Sequence, residues 1–315
     1  MSRMPKLPGL LVLFSLLLVN SGCGVKLAYN NGDRLVRWWV DDYIDMNSEQ
    51  KRYLRDATRN LLYWHRSQEL ASYRAVFLRL ADDLSQPPVE LPSPEPLLTK
   101  QELQDLVDQV EQWGRRIGER AVPIAVQMLL SLSAEQRLGF AEQVEEENAE
   151  YLEDAQQSQN ERVTDMAKDY RKFMSRLVGR LTPAQRDMVL QRHKELVIFE
   201  EQTVAFRRQW LQQVNTVLEM ETPDRVRLAK LLWLDEEDYP ADFQAVFTKN
   251  EAVYQQLTLD MINSLNAKQR ARFAERLRTL ARICQELIEE TREAPVSPQP
   301  LVVSTSQMKT ALAHE

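Results

Sequence analysis

The apolar positions of this chain recur at helical rather than strand spacing over most of its length. Between Ser48 and Leu84, Leu54, Ala57, Leu61 and Trp64, then Tyr73, Phe77, Leu80 and Leu84, fall on one helical stripe, which predicts one long helix. The same reading predicts helices over Thr99–Leu130, bent at Pro123, then Ala134–Gly179, Pro183–Met220, Pro223–Leu234, Ala241–Ile262 and Ala267–Glu293. Ahead of them, Asn30-Asn31-Gly32-Asp33 is a turn signal within Val25–Asp33. Residues 85–96 (SQPPVELPSPEP) hold five of the 14 prolines and must form an extended connection. The tail at 294–315 reads as disordered. The expected fold class is all-α, an antiparallel bundle of long helices. Glycine usage agrees: there are 8, and none beyond Gly179, which suits helices and not the turns of an all-β protein.

One pattern recurs at helix starts: an apolar residue, then Asn, Ser or Thr, two variable positions, glutamine and a basic residue. It occurs at Met46–Lys51, Leu132–Arg137, Leu181–Arg186 and Leu265–Arg270. The physics is that of a capping box. The side chain of Asn47, Ser133, Thr182 or Asn266 accepts from an unpaired amide of the first turn, while Gln50, Gln136, Gln185 or Gln269 reaches back to the cap. Met46 and Leu181 stand 135 residues apart, Leu132 and Leu265 133 apart. The second pair shares its context, QRLGFAEQV against QRARFAERL, and Leu61–Trp64 lines up with Leu196–Phe199 at the 135-residue offset. These offsets point to a duplication with halves near 25–155 and 160–292; the alternative is that capping boxes recur in any helical protein.

The first residues follow a different logic. Arg3 and Lys6 precede an uncharged apolar stretch, Leu7–Val19, which ends in Asn20-Ser21-Gly22 before Cys23. That is the three-part layout of an export signal, and the stretch is shorter than the roughly 20 residues a spanning helix needs. The expectation is a signal segment 1–22 that is removed, a lipidated anchor with an aromatic and acidic segment over 23–47, and a helical domain over 48–293.

Charge and composition then narrow the chemistry. The 40 Lys and Arg stand against 47 Asp and Glu, and loss of Arg3 and Lys6 with the signal moves the net charge from −7 to −9. An acidic chain whose charges alternate in sign is a poor partner for nucleic acid. Cys284 lies in the series Phe273, Leu277, Leu280, Cys284, Leu287 and is expected to be a buried thiol. His65, His193 and His314 lack metal-ligand spacing, and neither a phosphate-cradling glycine loop nor a G-x-S-x-G elbow occurs, so neither a catalytic centre, a metal nor a cofactor is expected. The most unusual segment holds Trp38, Trp39, Asp41, Asp42 and Tyr43. It reads either as a partner-binding or membrane-proximal surface, or, the reading preferred here, as aromatics packed under the first long helix with aspartates supplying charge at its start.

Two resemblances follow from these residues. Ser21, Gly22 and Cys23 resemble a lipobox, in which the cysteine thiol receives a diacylglyceryl group and the signal is cut away; Asn20 departs from its usual apolar position. With Lys26–Asn31 and Leu35–Tyr43, this looks like a family of uncharacterised lipoproteins of Gram-negative bacteria whose domain has no assigned function. The resemblance implies lipid attachment at Cys23 and, because Gly24 rather than aspartate follows it, sorting to the periplasm-facing leaflet of the outer membrane, with the outer leaflet of the inner membrane as the alternative. The second resemblance is narrower: Leu181-Thr182-Pro183-Ala184-Gln185 is similar to the LTxxQ motif of the Spy and CpxP periplasmic proteins, helical and chaperone-like. The combined expectation is a membrane-tethered, non-enzymatic protein that binds periplasmic or envelope proteins, with an exposed apolar groove between long helices if it is chaperone-like. The alternative is an enzyme, or enzyme activator, of cell-wall or lipid chemistry, using converging carboxylates such as Asp41, Asp42 and Asp45 near the anchor.

Overall fold

A computed structural model describes residues 22–86, 96–154, 156–235 and 238–291, and the regular elements among them are helical. In chain order they are α1 (Gly22–Asn30), α2 (Gly32–Asp41), α3 (Ser48–Trp64), a π-helical turn (His65–Glu69), α4 (Leu70–Ser85), α5 (Lys100–Leu130), α6 (Ala134–Asp154), α7 (Gln159–Val178), α8 (Pro183–His193), α9 (Glu200–Leu218), α10 (Arg225–Trp233), α11 (Ala241–Asn263) and α12 (Ala267–Glu289). The fold is all-α. Residues 1–21 of the expected signal segment 1–22, most of the proline-rich connection and the tail 294–315 lie outside the described residues.

Two apolar cores hold these helices together. The larger joins Tyr73, Phe77 and Ala81 of α4 to Leu277, Leu280 and Leu287 of α12, with Trp113 of α5, Met174 of α7, Val189 of α8 and Leu257 and Met261 of α11. The smaller joins Leu54 of α3, Val126 and Leu129 of α5, Val214 and Val217 of α9 and Leu228 of α10. Cys284 sits in the larger core, where burial pushes its thiol up to about 12, which leaves it unreactive.

The four capping motifs organise both cores. Each glutamine accepts from the backbone amide of its own cap residue: Gln50 from Asn47 (2.9 Å), Gln136 from Ser133 (3.0 Å), Gln185 from Thr182 (2.9 Å) and Gln269 from Asn266 (3.1 Å). The caps in turn accept from the amides of the glutamines. Each glutamine amide group then crosses to a second helix start. Gln50 and Gln136 face one another, with Gln50 Nε2 donating to the Ser131 carbonyl at 3.0 Å and Gln136 Nε2 to the Asp45 carbonyl at 2.6 Å. Gln185 and Gln269 repeat the arrangement, donating to the Ser264 carbonyl at 3.1 Å and the Arg180 carbonyl at 3.0 Å. Two glutamine clasps therefore tie α3 to α6 and α8 to α12. The apolar residue before each cap, Met46, Leu132, Leu181 or Leu265, is buried beside its clasp. The larger core, around the second clasp, is completed by α4 lying along α12, while α9 packs against α6 beside the first clasp.

Several expected boundaries move. Val25–Asp33 is not an irregular turn: only Asn31 interrupts the helices, and α2 continues to Asp41. Gly32 permits this sharp junction, because a Cβ there would stand 3.0 Å from the Leu62 side chain. The helix expected over Ser48–Leu84 contains the π turn, whose extra residue brings both His65 and Glu69 inward. Ala134–Gly179 divides before Ser158, which caps α7 in a box with Glu161. Pro183–Met220 opens at 194–199, where the Asn250 side chain holds both the amide and the carbonyl of Val197 at 2.8 Å, as a neighbouring strand would. Leu196–Phe199 thus does not share the helical conformation of Leu61–Trp64. At Pro123, α5 continues as helix to Leu130.

Candidate functional site

The chemistry-bearing region grows out of α1 and α2. Val25 of α1 is buried in the larger core. One residue on, Lys26 Nζ reaches Glu286 and Glu290 of α12 at 2.8 and 2.6 Å. Asn30 accepts from Arg66 at 2.7 Å, and the Arg66 guanidinium stacks over the Tyr29 ring. α1 is therefore fastened to the domain from within two residues of Cys23, whose own side chain lies outside the described set. Gly24 is half-buried at the start of the same helix.

Beneath α1, Tyr29 Oη lies 2.6 Å from His65 Nδ1, and Tyr73 Oη lies 3.2 Å from Nε2. A neutral imidazole has one donor and one acceptor, so one hydroxyl donates to the ring and the other accepts from it. Burial lowers the His65 pKa to about 4 and raises both tyrosines well above their usual range. Glu69, four residues along the π turn, is buried and takes a two-point bond from Arg116 at 2.8 and 2.7 Å. These polar groups satisfy each other inside the bundle and join α1, the π turn, α4 and α5.

α2 is amphipathic in the inverted sense. Its inward edge is Asp33, Arg37 and Val40: Asp33 is buried and accepts from Arg59 of α3 at 2.9 Å. Its outward face is apolar. Leu35 and Val36 are exposed, Trp38 is 66 % exposed and Trp39 49 %, and Leu27 of α1 is 66 % exposed. Of the seven large apolar side chains exposed among the described residues, these are five; the others, Leu138 and Val226, stand alone on α6 and α10. The expectation that Trp38 and Trp39 pack under the first long helix is therefore corrected, because the buried Asp33 and its partner Arg59 occupy that face instead. Tyr43 does turn inward, packing on Phe140 with its hydroxyl donating to Glu147. Asp41 pairs with Lys51 at 3.2 Å, while Asp42 and Asp45 are exposed. The three aspartates project into solvent rather than into a cleft, which removes the converging carboxylates on which an acid–base reading of this segment depends.

Two surface concavities are lined largely by cationic side chains, the first also by Leu196, Val197 and Ile198. One, of about 560 Å³, opens where the α6–α7 and α8–α9 breaks meet, among Gln157, Arg162, Lys194, Val197 and Lys249. The other, about 430 Å³, lies between α7 and α8 and is lined by Lys168, Arg171, Lys172, Ser175, Arg176 and Arg186. Its spacing puts five of those residues on one face of α7, a stripe interrupted in the linear sequence by Asp169, Tyr170, Phe173 and Met174. The apolar groove expected between long helices is not what either concavity provides; exposed apolar surface gathers at α1–α2. Among the described residues no helix is long and apolar enough to cross a membrane, and no cluster of His, Cys, Asp or Glu is arranged to hold a metal.

Comparison with known proteins gives one likeness. No curated protein and no solved structure matches the chain. One family model matches residues 42–244, from just past the end of α2 into α11, leaving all of α1, α2 and α12 outside the matched span. Because that match covers more than half the chain, the protein belongs to DUF6279, a family of unknown function.

Proposed function

We propose that the chain is a lipoprotein of the bacterial envelope, acylated at Cys23 after removal of residues 1–22 and sorted, through Gly24, to the periplasm-facing leaflet of the outer membrane. Its role in this reading is non-enzymatic: it holds an all-helical module at the membrane, where the module binds envelope proteins. The observation that carries the proposal is the fastening of α1. Many tethered domains hang from flexible linkers, whereas here Val25, Lys26, Tyr29 and Asn30 dock onto α12 and the π turn immediately after the anchoring cysteine. A lipid on Cys23 then fixes both the distance and the orientation of the module, and orientation matters for a protein that presents a surface to partners. Cationic side chains line the two concavities described above, which favours folded partners over unfolded clients, and the LTxxQ-like letters at Leu181–Gln185 build a helix-joining clasp.

The test is metabolic labelling of cells with a fatty acid, followed by membrane fractionation and in-cell crosslinking. Wild-type chain should take up label and co-purify with outer membranes, Cys23→Ser should do neither, and defined envelope proteins should crosslink to the module. An unlabelled wild-type chain, or a Cys23→Ser variant equally membrane-bound, contradicts the tether. Crosslinks absent from a labelled, correctly localised chain contradict the binding role.

A further inference from the structure

We infer that the outward face of α1–α2, made by Leu27, Leu35, Val36, Trp38 and Trp39, inserts into the interfacial layer of the bilayer and gives the module a second, non-covalent hold on lipid. The inference deepens the reading above and rests on it for location. Its chemistry rests on the side chains themselves.

Isolated exposed apolar residues need no explanation, but a contiguous group does. Two of the group are tryptophans, whose amphipathic rings favour the boundary between headgroups and acyl chains. Arg34 is exposed beside them, a cation placed as on helices that lie in the plane of an anionic surface. Asp33 is turned inward against Arg59, and the exposed carboxylates, Asp41, Asp42 and Asp45, are confined to the last residue of α2 and the residues just after it, with Asp41 and Asp42 one helical turn past Trp38. Position supplies the occupant. In the reading above the acylated Cys23 lies in the first turn of α1, and the nine residues of that helix span only about 14 Å, so α2 begins within that distance of the lipid-bearing end of the chain. A rigidly docked α1 cannot swing the face away from that surface.

The fold also accounts for the inversion. Were this apolar face meant for the core, α2 would rotate to bury it; instead the buried Asp33, paired with the exposed Arg59, and the close contact of Gly32 with Leu62 hold the opposite edge inward. A buried carboxylate is retained at a cost in desolvation, and here its effect is to set the rotation of a helix about its own axis.

The test uses the processed, acylated chain reconstituted into vesicles of phosphatidylethanolamine and phosphatidylglycerol, some carrying brominated acyl chains that quench nearby tryptophan. The expected result is quenching of up to about a third of the emission, from two of the chain's six tryptophans, lost in a Trp38→Ser/Trp39→Ser variant. That variant should keep its acylation and its circular-dichroism melting curve, since both side chains are exposed. If wild-type chain is acylated and vesicle-bound but Trp38 and Trp39 are unquenched, the inference is overturned while the tether stands. Crosslinking of position 38 to a protein, without lipid quenching, overturns it in favour of a protein partner. If the chain takes up no fatty acid yet still shows quenching that depends on Trp38 and Trp39, the inference holds and the tether reading fails.

Discussion

α2 and α12 are both amphipathic helices, yet they face opposite ways. α12 buries Leu277, Leu280, Cys284 and Leu287 in the larger core and leaves Arg276, Gln285 and Glu289 toward solvent. α2 buries Asp33 and leaves Leu35, Val36, Trp38 and Trp39 outside. A hydrophobic stripe tells which residues share a face and nothing about what that face meets. In α12 the stripe meets α4. In α2 it is exposed among the described residues, and the proposal here is that it meets lipid. The two helices should therefore respond to substitution through different observables, stability for α12 and membrane contact for α2.

The largest stability effect belongs to the core side of the comparison. Leu277→Ala should lower unfolding free energy by about 2–5 kcal/mol, read from urea denaturation, because the cavity lies between closely packed helices. An effect below about 1 kcal/mol would show that α12 does not pack as described.

Next is the pH dependence carried by His65. The unfolded imidazole titrates near its ordinary value of 6.5, whereas burial lowers the folded value to about 4. The unfolded state therefore binds more protons across that window. Stability should be intact above pH 6.5 and fall as the pH drops toward 4, by about 3 kcal/mol for this group alone. Buried His193, whose pKa burial also lowers, adds a loss of the same sign. Urea midpoints measured from pH 7.5 to 4.5 check this. A flat profile would contradict a neutral His65 between Tyr29 and Tyr73.

The clasps come third. Gln269→Ala removes a cap partner, leaves the Arg180 carbonyl without the Gln269 amide and takes away the bonds between Gln185 and Gln269, for a loss of about 2 kcal/mol in urea unfolding. Gln136→Ala should cost less, because Gln136 is half-buried and water replaces part of what is lost. Equal losses would mean the two clasps are not distinguished by burial. Smallest of all, Trp38→Ser should change unfolding free energy by no more than about 0.5 kcal/mol, as expected for an exposed side chain without a structural partner.

The residues that were legible in sequence are those whose physics is local. Asn47 with Gln50, or Thr182 with Gln185, are three residues apart, and that spacing alone specifies a helix start. The Ser158–Glu161 box was equally local and marked the break within Ala134–Gly179. What could not be read depends on partners far along the chain: Gln50 meeting Gln136, or Asn250 holding Val197 out of helix from 53 residues away. The orientation of α2 belongs to this second class. It is decided by Asp33 meeting Arg59, a contact that the pattern LVRWWVDD does not contain.

The most direct test of the α2 account compares two exposed apolar positions. Trp38→Cys and Val226→Cys would each be labelled with an environment-sensitive fluorophore in the acylated chain; Cys284 is buried, and Cys23 carries the lipid in this reading. On adding vesicles, the label at 38 should shift to the blue and become shielded from an aqueous quencher, while the label at 226 should not change. Equal accessibility at both positions on the membrane would contradict the claim that α2 turns its apolar face to lipid.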